Sequence, residues 1–498
     1  MKVPDTTNSP VTEQMKIIDI LPDGGLHGRR KIFSDYKEVT ANNVVNVLSS
    51  ALAVHSLNAA ETRYLWNVYK GIQDIRLKTK YVRENINNII TVNKANEIVT
   101  FKSAFLLSAP VQYTSNGDDT VSKRVNRLNR LMAAEDKNSK DKEIVDWMHI
   151  NGVAVRMCLQ DEEENAYGSP AEIFTLDPRE AFCIYNSGIE KRKIAGVVIQ
   201  KDETGKNYYC VYTRNRYFEV HGNAVTVDRP HIFGEIPIFE YENNMARTGS
   251  FELVLPILDA INKLESCRVD NVEDFVNAYD VFQNCEIEDG EYQELAAGGK
   301  AVMVKSATEG REAKVYRISS EMNQTGVQNI IDDLTDQYLT ICGMPNRNGG
   351  SSTSDTGTAT IFRDGWAEAE SRAKDSEKLF KRAEKEFLRV FLNICSAVDD
   401  VDLSLNDINI EFTRENLTNI QSKAQVLCEM LNNEKIHPKY AFQYCGMFPN
   451  PEEAYSESMK YYEEQQAKLE EELEAELNAA RTVSAGGQGN QTSEPESD

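Results

Sequence analysis

Residues 323–398 read NQTGVQNIIDDLTDQYLTICGMPNRNGGSSTSDTGTATIFRDGWAEAESRAKDSEKLFKRAEKEFLRVFLNICSAV. Val327, Ile330, Ile331, Leu334, Tyr338 and Ile341 recur every three or four residues, which places them on one face of a helix. Cys342-Gly343-Met344-Pro345 ends it, because Gly accepts left-handed geometry and Pro cannot continue the hydrogen-bond ladder. From Asn346 to Thr360 there is almost no apolar side chain. Helical periodicity then resumes with Phe362, Trp366, Ala369, Ala373, Leu379, Phe380, Ala383, Phe387, Val390, Phe391, Ile394 and Val398. A helix of roughly 38 residues measures about 57 Å, whereas globular helices average about 11–12 residues. The stretch predicts a helix, a polar loop, and a helix long enough to line or span something large.

Working outward, residues up to about Ser34 mix Pro, Gly and polar residues and read as a poorly ordered lead-in. Helices are expected at 41–57 and 59–69, over 87–108 around a turn near Asn93, and at 123–132 and 142–148, with a short strand at 109–113. Between 153 and 240 the period becomes two, predicting strands at 153–158, 172–176, 181–185, 194–199, 208–213, 216–220 and 238–241. Thr248-Gly249-Ser250 opens the next helix with Ser250 as its cap. An insert at 285–320 holds strand-like runs at 301–305 and 314–318. A strand at 408–412 and helices at 417–431, 437–444 and from 451 onward follow. The whole reads as α+β with a mostly antiparallel sheet.

The chain of 498 residues suggests about three domains, since a domain typically takes about 150 residues. Its nine cysteines are scattered and never spaced Cys-x-x-Cys, which favours reduced, mostly buried thiols. With no apolar run long enough to span a bilayer and no hydrophobic leader core, the expectation is a soluble, intracellular product without a membrane partner. The net charge of −24 argues against a protein that grips nucleic acid.

Motifs for catalysis are few. Gly298-Gly299-Lys300 lacks the spacing and the strand-to-helix context of a phosphate loop. Asp399, Asp400 and Asp402 read as solvated charge, not as a cation loop. None of the six histidines falls in a metal spacing or beside a nucleophile. No enzyme, catalytic residue, metal or cofactor is expected. Taken alone, the polar loop could be an ordinary connector. It exceeds the usual helix–helix connection of about 2–8 residues, however, and long loops on rigid supports often carry function.

Several stretches together resemble the portal (head-to-tail connector) proteins of tailed double-stranded-DNA phages, of the long-tailed Gram-positive-phage type. They are Tyr69-Lys70-Gly71, Asn87 to Val99, Ser108-Ala109-Pro110-Val111-Gln112-Tyr113, Asp177-Pro178-Arg179-Glu180-Ala181-Phe182, and Gly234-Glu235-Ile236-Pro237-Ile238-Phe239-Glu240-Tyr241 with the helix through Leu258-Asp259-Ala260-Ile261-Asn262. The order of elements fits from about Ala41 to Tyr462. Two departures are Ser108-Ala109-Pro110, where the family usually has Gly-Lys-Pro, and a long acidic tail.

The resemblance implies a twelve-subunit ring with a central DNA channel at one capsid vertex. It divides the chain into a flexible lead-in (1–40), wing (41–245 and 359–413), paired stem helices (246–282 and 321–343), small α/β clip (283–320), tunnel loop (344–358), helical crown (414–465) and an acidic, largely disordered tail (466–498). Within the loop, Asn346, Arg347, Asn348, Ser351, Ser352, Thr353, Ser354 and Thr356 would face DNA. In the clip, Lys300, Lys305, Arg311, Lys314 and Arg317 would face DNA or an acidic adaptor. The implied partners are the terminase motor, the head-tail adaptor, and the major capsid and scaffolding proteins, in the virion and in the host cytoplasm during assembly. Twelve copies at −24 sum to about −290, a field that repels phosphate and suits a conduit that must not hold its cargo. The competing readings are a metal-dependent nuclease or transferase using scattered carboxylates, and a helical scaffold without a channel.

Overall fold

The computed structural model describes residues 25–81, 84–115, 119–160, 168–276, 279–286, 305–306, 310–318, 324–346, 365–398, 402–414, 420–448 and 451–485. The first half of the chain carries β1 (Ile32–Ser34), α1 (Val44–Tyr69), α2 (Lys94–Leu106), β2 (Gln112–Ser115), α3 (Asp119–Ala134), α4 (Lys137–Asn151), β3 (Val153–Gln160), β4 (Ala171–Leu176), β5 (Ala181–Asn186), β6 (Lys193–Lys201), β7 (Asn207–Tyr212), β8 (Arg216–His221), β9 (Ala224–Pro230) and β10 (Ile238–Glu242). The second carries α5 (Leu255–Val276), β11 (Tyr279–Gln283), β12 (Cys285–Glu286), β13 (Lys305–Ser306), β14 (Lys314–Ile318), α6 (Gln324–Cys342), α7 (Trp366–Val398), β15 (Ile408–Glu411), α8 (Ile420–Leu431), α9 (Pro438–Cys445) and α10 (Pro451–Ala485). The chain forms two compact units, Met1–Ser108 with Ser115–Ile408, and Ala109–Thr114 with Asn409–Asp498.

In the first unit, the seven strands read in the period-two segment all form, and β9 (Ala224–Pro230), which the reading lacked, adds an eighth. A six-stranded sheet runs β1-β5-β6-β7-β8-β9, and a three-stranded sheet runs β10-β3-β4. The pairings are antiparallel except for β1, which joins β5 in parallel. Alternation gives the large sheet two apolar faces. One packs under α1 through Val44, Val47, Leu48, Phe182, Val197 and Phe218. The other meets the small sheet through Val155, Met157, Cys183, Val198 and Ile238. Gly196 permits that approach, since a Cβ there would lie 2.8 Å from the Ile238 Cβ.

Helix α7 lies against the small sheet, with Phe387 edge-on to Phe239 at 5.9 Å and Phe380 beside Tyr241 at 4.9 Å. A buried polar cluster fastens it there. Lys137 of α4 reaches Asp141 at 2.6 Å and Glu384 of α7 at 2.9 Å. Arg156 of β3 pairs with Asp141 and, at 3.3 Å, with Glu384. The Tyr241 hydroxyl donates to Glu384 at 2.6 Å. Burial works against the Arg156 charge, but Tyr241, Asp141 and Glu384 more than offset it and keep the guanidinium protonated.

A second polar device holds α5. Residues 87–92, expected to be helical, instead run extended along it. The backbone N–H groups of Asn88, Ile90 and Val92 donate to Asp270 (2.7 Å), Ser266 (3.0 Å) and Asn262 (2.8 Å). The match is geometric: two extended residues advance about 6.6 Å and four helical ones about 6.0 Å, so alternate amides meet every fourth side chain. Burial alone would raise the Asp270 carboxyl, but Lys78, Lys80 and the Asn88 backbone and side chain hold it down at about 2. Asn93 then caps α2 by accepting from the Asn96 amide.

Other expectations change in detail. Segments 41–57 and 59–69 merge into one 26-residue helix, α1. Residues 25–34 of the expected lead-in are ordered: Ile32 is a core residue of the large sheet, and buried Arg29 pairs with Glu61 and Glu252 at 3.0 and 2.7 Å. Ser250 does not cap α5, which begins at Leu255 after a short 3-10 turn; its hydroxyl meets His149 Nδ1 at 2.8 Å. Helix α5, expected to run to 282, ends at Val276, and Tyr279 already starts β11.

The second unit has a two-stranded sheet of β2 and β15 and the helices α8 to α10. His437 caps α9, with Pro438 in the first turn. Phe442 packs on Phe448 at 5.3 Å and on Tyr455 of α10 at 5.9 Å. From residue 460 to 475 every side chain of α10 is exposed, as expected for the acidic run Glu470-Glu471-Glu472. Helix α10 runs on through the acidic tail as far as Ala485, and residues 486–498, expected to be disordered, lie outside the described residues.

Candidate functional site

Helix α6 stops as its sequence dictates. Gly343 adopts φ +64°, its amide donates to Thr340 O at 3.0 Å, and the Met344 amide donates to Leu339 O at 2.8 Å. This is the paired closure of a Schellman motif, which satisfies carbonyls that a helix end leaves orphaned. Met344 then enters the hydrophobic cluster of Tyr338, Leu339, Cys342, Phe251, Val254 and Leu258. Asn346 leaves the hub with its amide donating to Asp336 of α6 at 2.8 Å.

Residues 347–364 lie outside the described residues, and with them Arg347, Asn348, Ser351, Ser352, Thr353, Ser354 and Thr356. The chain is described again at Gly365, φ +84°, where a Cβ would stand 3.6 Å from Pro345 Cα and 3.7 Å from Met344 O. The two described ends on either side of residues 347–364 therefore lie next to one another. Helix α7 begins there, the Ala369 amide donating to Gly365 O at 3.1 Å. Trp366 is wedged between Phe101 (6.0 Å) and Phe105 (6.1 Å) of α2.

Arg372 locks the two helices together. Its Nη1 donates to Ile341 O, in the last turn of α6, at 2.8 Å, and its Nε donates to Glu368 at 2.7 Å. Its aliphatic stem covers Gly343, whose Cβ would lie 2.3 Å from Arg372 Cδ. Beneath this base the Cys342 thiol is pushed up to about 11 by burial, against the pull of Lys102 and Arg372. His149 is pushed down to about 3, first by burial and then by Lys102. Neither group is set up as a nucleophile or base at neutral pH.

Gly343→Ala should cost about 1–2 kcal/mol for its left-handed backbone, plus whatever displacing Arg372 adds. An unfolding midpoint lowered less in an Arg372→Ala background than in the parent would separate the two effects. An unchanged midpoint in both would refute the strained cap.

Of the residues expected in the clip, Lys305, Lys314 and Arg317 fall on two ribbons. In the β11–β14 ladder Arg317 stands opposite Asp280, and Lys305 of β13 stands opposite Glu286 of β12. Lys314 and Arg311 are exposed, Lys314 Nζ being 4.0 Å from Glu312. Lys300 and its neighbouring glycines lie outside the described residues, as do Asp399 and Asp400, while the Asp402 carbonyl accepts from Arg124 at 2.8 Å. Among the described residues, no three His, Cys, Asp or Glu side chains converge as metal ligands. No helix among them is long and apolar enough to cross a membrane.

The sequence reading missed Arg372, Trp366 and Asp336, because nothing in a helical period marks which surface residue will meet a loop base. Glycines at 343 and 365, bracketing the polar run, were the available signal.

Residues 52–478 match the family model described as phage portal protein, SPP1 Gp6-like. No curated protein matches the chain.

Proposed function

The chain belongs to the phage portal proteins of the SPP1 Gp6-like family, a structural and not an enzymatic family, and from that premise we propose that it forms a twelve-subunit ring at one capsid vertex. The ring is the conduit for DNA packaging and ejection. It is also the platform on which the terminase motor and the head-tail adaptor dock, within a shell of major capsid and scaffolding proteins. The protein thus works in the virion, after assembly in the host cytoplasm.

The observation that carries this reading is the α6–α7 junction, where Gly365 lies beside Pro345 and the sequence between them is polar. These two ends stand side by side, one on a helix of the hydrophobic cluster and one on a helix fastened to the sheets, and so give the polar stretch between them a fixed base. Asn346, Arg347, Asn348, Ser351, Ser352, Thr353, Ser354 and Thr356 supply amide and hydroxyl groups that touch DNA with a single fixed charge among them. The chain's −24 charge keeps phosphate from settling on the wall. The β11–β14 and β12–β13 ribbons, with Lys300, Lys305, Arg311, Lys314 and Arg317, form the adaptor-facing end.

End-on electron microscopy of the purified protein tests the architecture. Rings of about twelve subunits around a duplex-sized hole are expected. Monomers or compact dimers across salt and protein concentration would refute it and reopen the carboxylate-enzyme reading.

A further inference from the structure

Between the C-terminal half of α7 and the turns of the large sheet lies an open cleft of about 1510 Å³. Eight of its lining side chains are Lys or Arg and five are Asp or Glu, an excess of three positive charges on a chain of −24. Its walls are braced from within. Lys193 of β6 pairs with Glu386 of α7 at 2.9 Å, and Glu235 pairs with Arg214 at 3.6 Å and with Arg389 of α7 at 3.8 Å. Arg216 pairs with Asp228 at 2.6 Å. Lys37, Arg382 and Lys385 are exposed in the same cleft and make no ion pair or hydrogen bond among the described residues. On its rim, in the β5–β6 turn, Ile189 is fully exposed.

We propose that this cleft seats an acidic face of a second copy of the chain. The inference rests on the ring reading, because in a ring the two surfaces that meet are different patches, one of which must accept the other. Copies carrying −24 each repel on approach, so a stable contact requires a local patch of opposite sign. Three unpaired cations beside an exposed isoleucine, on walls already fixed by internal ion pairs, meet that requirement with little ordering left to lose. The mixed lining also favours a protein over nucleic acid. Five carboxylates would repel a phosphate backbone, whereas a protein face can answer both signs.

The test compares the full-length wild type with the double variant Arg382→Glu/Lys385→Glu by sedimentation velocity and end-on electron microscopy, at low and high salt. Arg382→Lys/Lys385→Arg is the charge-conserving control. Wild type and control should form rings, which salt weakens. The double variant should remain largely monomeric at the same concentration, with the circular dichroism and melting midpoint of a folded chain. Rings at wild-type yield from a folded double variant would overturn the inference while leaving the ring intact. A double variant that assembles normally but loses a duplex-DNA retention seen in wild type would overturn it in favour of a nucleic-acid site. Wild type that never assembles would instead overturn the ring reading, and the seat with it.

Discussion

Arg156→Met should lower the stability of the chain by about 3–5 kcal/mol, the usual result of removing one member of a buried ion cluster. Arg156 is fully buried and is shared by Asp141 and Glu384, with Lys137 the other cation of the cluster. Without the guanidinium, two carboxylates that cannot reach water are left to one ammonium. Adding Glu384→Gln to the variant removes one of those stranded charges, so the double variant should cost less than the two single costs summed. Urea unfolding at fixed protein concentration reads both. A midpoint within error of wild type for Arg156→Met would mean the cluster is not what fastens α7 to the sheets.

Deleting Gly349 to Ser354 should abolish DNA packaging and leave folding and assembly intact. The ends of the excursion already meet at Pro345 and Gly365, so closure sets no minimum length that a loop shortened to twelve residues fails to satisfy. The change in closure entropy is small, about 0.6 kcal/mol for a halving of length, and favours the shorter loop. Packaging measured as nuclease-protected DNA should fall to background while rings and melting midpoint are unchanged. Normal packaging would remove the loop from the mechanism. A drop in ring yield would show that the residues serve assembly.

The legible part of this fold was whatever one segment decides by itself. The strands from β3 to β8 and β10 followed from alternation, and α6, α7, α8 and α9 from helical period, with Gly343 and Pro345 marking the end of α6. What failed was decided by partners far away in sequence. Ile89, Ile90 and Val92 looked helical, but their segment takes its conformation from Asn262, Ser266 and Asp270, 170 to 182 residues further along the chain. Arg29 and Ile32 sit in a polar, Gly-rich lead-in and become core only because Glu61, Glu252 and β5 await them. The loop was visible as composition. Its anchor was not, since Trp366 and Arg372 gain meaning only when α2 and the end of α6 are brought beside them.

The ladder between residues 88–92 and α5 has a mechanical corollary. Its three amide bonds have the spacing of one helical register only, so sliding or turning α5 by a single residue would break all three at once and strand Asn262, Ser266 and Asp270 in the interior. Shear delivered to α5 from the β11 end is thus resisted in parallel and passed to α1 and α2 as one rigid block. Any displacement of α5 is then to be sought as a movement of that whole block, and not as a gliding of α5 along residues 88–92.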